Sequence, residues 1–341
     1  MEVRTQQSIA QLTTMRLGGP AAQLIEIRSP QDCVAAYDYA ASQGLPVYAL
    51  GGGSNVIGRD EGFDGVVLLN QLAGIEVVAE DRATITIKAA SGEELDALAN
   101  FATARGYSGV EALSAIPGTV GGAVMQNAGA YGQETADVLD CVEVYDIADR
   151  RITTLQRDEL DLSYRHSIFN SSAKGRYFLL SATISLRVRE MAGELFWSLQ
   201  SWLDEHAITD RRPQTIRDAV TAIRADKLPD PVVEASSVSF FKNVTIHEDE
   251  IASLRERWPG IPIFKIGSCW EVASGWLIEQ CGLKGQLLHG MRVSPKAALI
   301  LINESARGYS DLAAARDEIR AAVKEKFGFV LEQEPEELIS A

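Results

Sequence analysis

Residues 117–132 read PGTVGGAVMQNAGAYG, from Pro117 to Gly132; five of these sixteen residues are glycine and none carries a formal charge. Glycine takes positive φ freely and has no side chain to keep a ligand from backbone N–H groups, so backbone this bare admits something large. A phosphorylated cofactor is the natural guest. A second cluster, Leu50-Gly51-Gly52-Gly53-Ser54-Asn55, follows the apolar run Pro46 to Leu50 and reads as a strand opening into a phosphate-gripping turn. Two such loops in one half of the chain suggest a dinucleotide held at both ends. A lone triple glycine is more often turn punctuation than a ligand site. The longer loop resists that reading, because every glycine loses extra backbone entropy on folding. Neither loop fits GxGxxG, and GxxxxGK[ST] is absent, which disfavours a plain Rossmann or P-loop assignment.

Composition narrows the partners. A chain of 341 residues is long enough for two or three domains, and 46% hydrophobic with 23% charged residues is ordinary globular usage. The first residues, MEVRTQQSIA, lack the basic region and apolar run of a secretory signal, and the longest apolar run, Ala297 to Ile302, is too short to span a bilayer. A cytoplasmic protein without membrane insertion is the expectation. With 47 acidic against 32 basic residues, the formal charge of −15 argues against nucleic acid or anionic membrane as partner. Cationic contacts to an anionic ligand must then be local. Cys33, Cys141, Cys269 and Cys281 show no CxxC spacing and the four histidines are scattered, so no metal site is expected and the cysteines read as reduced.

The first 110 residues alternate strand and helix. Ala22 to Ile27 reads as a strand; Ser29-Pro30-Gln31-Asp32 supplies an N-cap, a first-turn proline and an acid, and Gly44 stops the helix. Thr84 to Lys88 alternates as a half-buried strand, and Ser91-Gly92-Glu93-Glu94 predicts a capping box opening a helix that reaches about Gly106. Further strands are expected at Val142 to Ile147 and Phe178 to Val188, and helices at Glu194 to His206, Gln214 to Ala225 and Ser310 to Phe327, the last ended by Gly328. Lys227-Leu228-Pro229-Asp230-Pro231 is a proline-punctuated break that reads as a domain boundary.

Three polar clusters lie outside the glycine loops. Ser163-Tyr164-Arg165-His166-Ser167 sets an aromatic ring beside an arginine, a pair able to fix a planar anion. Ser239-Phe240-Phe241-Lys242-Asn243 reads by composition as a buried strand edge, and Glu332-Gln333-Glu334 as part of a solvated acidic tail. The order TTMRLGGPA (13–21), LGGGSNV (50–56), IPGTVGGAVMQNAGAYG (116–132), SYRHSIF (163–169), KLPDP (227–231), SFFKN (239–243) and FGFVLEQE (327–334) nevertheless resembles the UDP-N-acetylenolpyruvoylglucosamine reductases over essentially the full length.

That resemblance implies an α+β protein: a two-part FAD-binding fold of the vanillyl-alcohol-oxidase type with an added α/β substrate domain. The implied parts are 1–68 joined by the tail 330–341, then 69–226 with a loop insertion, then 227–329 for substrate. It implies non-covalent FAD, held by Gly51, Gly52, Gly53, Ser54 and Asn55 and by Pro117, Gly118, Thr119, Gly121 and Gly122, with Asn127, Gly129 and Tyr131 completing the pocket. Arg165, Ser239 and Glu334 match the family's catalytic residues; Tyr164, Lys227, Asn243 and Lys284 match positions that grip the nucleotide-sugar. The implied reaction is NADPH-dependent reduction of UDP-N-acetylglucosamine enolpyruvate to UDP-N-acetylmuramate by a monomer. Trp197 replaces a substrate tyrosine, Ile263 or Phe264 a second one, Ala297 a polar residue, and Ala235-Ser236-Ser237-Val238 a glycine-rich approach to the serine. Another FAD oxidoreductase of this fold, or a flavin-binding relative without activity, is the alternative at this point.

Overall fold

The computed structural model describes residues 1–188, 191, 195–237, 239–266 and 269–339. They gather into two compact units, one of Met1–Gln6, Ala22–Gly52 and Asp64–Asp226, the other of Gln7–Ala21, Gly53–Phe63 and Lys227–Ala341. The mixture of helices and sheets is that of an α+β protein.

In the first unit, α1 (Pro30–Gln43) begins and ends where its sequence dictates. The Ser29 hydroxyl accepts the Asp32 N–H at 3.1 Å, Pro30 occupies the first turn, and Gly44 closes the helix at φ +64°. Beside α1 lies a four-stranded sheet ordered Arg4–Ser8, Pro20–Ile27, Phe63–Asn70, Val47–Leu50, whose last pair is parallel. A larger antiparallel sheet runs Arg151–Gln156, Leu139–Asp146, Tyr177–Val188, Thr84–Ala90, Ile75–Glu80, with Tyr107–Ser108 also on the long strand. Ile85, Ile87 and Ala89 point from it into the main core, meeting Leu95, Leu98 and Ala99 of α2 (Leu95–Thr103).

Two sequence expectations change in this unit. The capping box at 91–94 does not form: α2 starts at Leu95 with no side-chain cap. Ser91 is buried instead, donating to the Leu179 carbonyl at 2.6 Å and accepting from the Asn70 amide at 2.7 Å. A buried hydroxyl must be satisfied, and these tertiary partners outcompete the local cap. The stretch read as one bare loop also contains a short helix, α3 (Val120–Met125), followed by a hairpin pairing Gly129–Ala130 with Gln133–Glu134. Two further helices, α4 (Trp197–Glu205) and α5 (Pro213–Lys227), share a small core of Leu195, Leu199, Leu203, Ile216, Ala219, Val220 and Ile223. Glu194, where the first of these was expected to start, lies outside the described residues.

The second unit is built on α6 (Ile251–Arg257), α7 (Ser274–Gln280) and α8 (Tyr309–Phe327), the last closed by Gly328 at φ +83°. Its sheets order Ser236–Ser237, Leu301–Asn303, Met291–Val293, Leu287–Leu288 and Val244–Ile246, Cys269–Val272, Ile263–Ile266. The tail is not a solvated end. Glu336–Leu338 pairs in parallel with Val56–Gly58, and Leu331 and Leu338 are fully buried. Each such leucine contributes roughly 1.5–3 kcal/mol by leaving water, enough to hold the chain end in place.

Candidate active site

Within the first unit the two glycine runs meet. A Cβ on Gly51 would come within 2.7 Å of the Thr119 hydroxyl, and one on Gly52 within 3.0 Å of Gly118 Cα. Side chains are excluded there by contact between the runs themselves. Thr119 caps α3 by accepting the Gly122 N–H at 3.2 Å, and Gly122 is exposed. Gly121 serves packing: its Cβ would stand 2.9 Å from the Ser91 carbonyl. In the second unit Gly53 is held at φ +66° with Leu12 so close that a Cβ would fall 2.0 Å from its carbonyl oxygen, and the Asn55 carbonyl accepts the Glu336 N–H at 3.0 Å. Among the described residues the N–H groups of Gly52 and Gly53 donate to no acceptor. Side-chain-free backbone with unused donors is the donor set that a phosphate diester fits.

The arginine turn is stitched to the long loop. Ser163 and His166 exchange backbone hydrogen bonds at 3.0 and 3.1 Å, which leaves Tyr164 and Arg165 at the apex of a tight turn. Arg165 sits at φ +51°, a left-handed conformation that a non-glycine residue holds only under outside constraint. The constraint comes from Asn170, whose amide donates to the Arg165 carbonyl at 3.0 Å, and from the Ser167 hydroxyl, which donates to the Met125 carbonyl at 2.7 Å. Asn127 completes it. Its side chain is wholly buried and reaches Glu134 at 2.8 Å, the Ser163 carbonyl at 3.1 Å and the Ala136 N–H at 2.9 Å. Asn127 thus holds the loop through a buried side chain. The Arg165 guanidinium reaches the Gly129 carbonyl at 3.4 Å and lies 5.1 Å from the Tyr164 ring centre.

Tyr131 and Gly132 are the two left-handed residues of the hairpin turn, at φ +48° and +84°. The Tyr131 ring packs edge-on against Phe196, and its hydroxyl faces Arg224 of α5. Burial raises the Tyr131 phenol above its ordinary value while Arg224 pulls the other way; burial lowers Arg224 in turn. Nothing in the sequence singled out Arg224. The only available hint was a basic residue one helical turn before Lys227.

In the second unit the tail meets the serine segment. Glu334 N–H donates to the Phe240 carbonyl at 2.9 Å, Lys242 N–H to the Glu332 carbonyl at 2.9 Å, and Phe241 bridges Gln333. The half-buried Ser239 thus stands one residue from the pairing that fixes Glu334. The Asn243 amide is clamped at both ends: its N–H group donates to the fully buried Glu271 at 3.0 Å and its oxygen accepts the Ser274 N–H at 3.2 Å. Lys284 pairs with Glu279 at 3.0 Å. Lys227 ends α5 exposed, Trp197 is 66% exposed, and Ile263, Phe264 and Ala297 are half-buried. Val238 lies outside the described residues. Among the described residues no three His, Cys, Asp or Glu side chains gather as a metal site, and no helix is long and apolar enough to cross a membrane.

Comparison with known proteins identifies the family. Residues 21–156 match the FAD binding domain family and residues 230–338 the UDP-N-acetylenolpyruvoylglucosamine reductase C-terminal domain family. The chain is 35% identical to the UDP-N-acetylenolpyruvoylglucosamine reductase of Ralstonia nicotianae, covering 94% of this chain and 95% of that one. It is 34% identical to that of Chromobacterium violaceum over 98% of both. The crystal structure of UDP-N-acetylenolpyruvylglucosamine reductase from Thermus caldophilus superposes with a TM-score of 0.65 at 24% identity, covering 99% of this chain and all of that one, and so shares the fold. With both family segments in order and relatives matched end to end, the chain belongs to the UDP-N-acetylenolpyruvoylglucosamine reductase family.

Proposed function

We propose that this chain is a flavin-dependent oxidoreductase that reduces UDP-N-acetylglucosamine enolpyruvate to UDP-N-acetylmuramate, a peptidoglycan precursor, with NADPH as reductant and non-covalent FAD. The observation that supports the reading is the backbone pairing of Glu334 with Phe240, which joins the tail that carries Glu334 to the segment that carries the candidate acid Ser239. Bound FAD supplies hydride transfer, from NADPH to the terminal methylene carbon of the enolpyruvyl ether.

This chain's residues answer the charge that follows. Hydride addition leaves carbanion charge on the carbon beside the carboxylate, delocalised into that carboxylate. Arg165 stabilises it electrostatically and Glu334 assists at the same group. Ser239 then donates a proton to the carbanion carbon, a base strong enough to take one from a hydroxyl within hydrogen-bond reach. Tyr164, Asn243, Lys227 and Lys284 hold the nucleotide-sugar, the lysines giving local positive charge in a chain of net charge −15. By the same family match, Gly51 to Asn55, Pro117 to Gly122, Asn127, Gly129 and Tyr131 are assigned to the flavin.

The same reading makes the protein a cytoplasmic monomer without nucleic-acid partners. It divides the chain into flavin-binding parts 1–68 with 330–341 and 69–226, and a substrate part 227–329. Anaerobic mixing tests it. NADPH should bleach the bound flavin, and enolpyruvyl-UDP-GlcNAc should restore its colour; restoration by oxygen alone would point to an oxidase, and no bleaching to a protein without this activity.

A further inference from the structure

Two left-handed non-glycine residues stand near the two ends of the sixteen-residue glycine loop. Ala115, just before it, holds φ +57°, and Tyr131, near its end, holds φ +48°. Neither is glycine, so each left-handed conformation must be imposed by its surroundings. The Ala115 N–H is taken by Asp96 at 2.6 Å and its carbonyl by Arg224 Nε at 3.2 Å. The hydroxyl of Tyr131 faces that same guanidinium. One side chain of α5 therefore holds the carbonyl just before the loop and faces the hydroxyl near its end.

Charge around it is unevenly matched. Asp96 accepts both terminal nitrogens of Arg217, at 2.6 and 2.9 Å, two helical turns before Arg224 on the same helix. Among the described residues no carboxylate stands within ion-pair distance of Arg224 itself. Two guanidinium groups thus share one carboxylate, and a half-buried positive charge remains beside the loop. Folding alone gives little reason to keep a half-buried charge with no carboxylate of its own, since a neutral residue there would avoid the desolvation cost. An anionic guest in the loop does give one.

We propose that Arg224 is a positioning residue for the cofactor: by holding the Ala115 carbonyl and the Tyr131 hydroxyl together, it fixes the loop in the shape that receives FAD. This rests on the reading of the loop as a flavin site. Arg224 acts through the backbone it holds, and its unmatched charge favours a diphosphate-bearing ligand.

The test is reconstitution of flavin-stripped protein, following the change in FAD fluorescence on binding. Arg224→Gln should raise the FAD dissociation constant about tenfold or more, the scale of losing a charged hydrogen bond. Arg224→Lys should recover part of that loss, since it keeps the charge without the two-ended grip. Tyr131→Phe, which removes one end only and leaves the ring packed on Phe196, should weaken FAD severalfold and serves if Arg224→Gln fails to fold. A second readout separates clamp loss from general disruption. With the loop intact, removing Arg224 should push the Tyr131 phenol further up, seen by ultraviolet difference titration with and without the Tyr131 hydroxyl; a disrupted loop would let it fall towards its ordinary value. Wild-type FAD affinity in both Arg224→Gln and Tyr131→Phe would overturn the clamp while leaving the flavin reading intact. A wild-type protein that takes up no FAD would overturn both.

Discussion

The Glu334 N–H donates to the Phe240 carbonyl at 2.9 Å, and the residues after Glu334 are held at least as firmly. The Glu337 carboxylate accepts from Arg59 at 2.9 Å, from the Tyr309 hydroxyl at 2.6 Å and from Arg316 at 3.1 Å, while Leu338 is fully buried. Removing residues 332–341 would therefore strip core and ion pairs along with the proposed catalytic group. Glu334→Gln is the cleaner change. It should leave FAD content and bleaching by NADPH near wild type and slow reoxidation by the enolpyruvyl substrate about 100-fold, the lower range for a positioned acid or electrostatic group. Stopped-flow flavin absorbance reads both half-reactions, and equal slowing of the two would assign Glu334 to structure.

Ser239→Ala removes only a half-buried hydroxyl, so stability should change little. The same stopped-flow experiment should show flavin reduction intact and turnover of the enolpyruvyl substrate reduced about 100-fold or more. A solvent proton cannot easily replace one held in place. Unchanged turnover would mean that another group delivers the proton.

Lys284 is neutralised by Glu279 at 3.0 Å, on a partly exposed surface where such a pair is worth little by itself. A substrate diphosphate must compete with Glu279 for that ammonium group. Lys284→Ala should raise KM for the enolpyruvyl substrate about tenfold or more with kcat little changed, whereas Glu279→Gln should lower KM or leave it as it is. Added salt should raise KM in wild type and less so in Lys284→Ala. A rise in KM from Glu279→Gln would show that the glutamate orients the lysine instead.

Arg217 holds the Asp96 carboxyl below the ordinary carboxylate range through its two hydrogen bonds, against the opposing effect of burial. A carboxyl depressed on folding adds stability above its unfolded pKa, near 4, and that stability disappears as pH falls through the lower folded value. Asp96→Asn should thus be less stable than wild type at pH 7, with the gap closing in acid. Denaturant midpoints at pH 7 and pH 3 check the sign. A gap that widens on acidification would contradict the pairing.

The sequence was legible where the determinants are local. Ser29, Pro30 and Gly44 set both ends of α1 because caps and left-handed stops act within one turn, and Gly328 ends α8 in the same way. Ser91 misled because a capping box shows only what a hydroxyl can do nearby, and its partners Leu179 and Asn70 are far along the chain. Arg224 and Glu271 were invisible for a related reason. An arginine on a polar helix face and a glutamate in a short strand have no local signature, and their meaning comes from Ala115 and Asn243. The tail carried an acidic surface pattern, yet Leu331 and Leu338, spaced too widely to read as a strand, decide its burial.

The contact between the glycine runs gives a last expected outcome. An alanine Cβ at residue 52 would stand 3.0 Å from Gly118 Cα, tighter than ordinary packing, and the obstacle is backbone rather than a side chain that can swing aside. Relief must come from parting the runs by a few tenths of an ångström. That displacement costs little of the core, because Gly52 is exposed, but it moves the N–H groups assigned to the cofactor. Gly52→Ala should therefore fold with a near wild-type melting temperature and bind FAD at least tenfold more weakly by fluorescence titration. Gly44→Ala is the matched control: it sits at φ +64° with nothing within 4 Å of a Cβ, so it should lower the melting temperature through backbone strain and leave FAD affinity unchanged. Were Gly44→Ala to weaken FAD as much as Gly52→Ala does, loss of stability rather than the geometry of the two runs would govern cofactor binding.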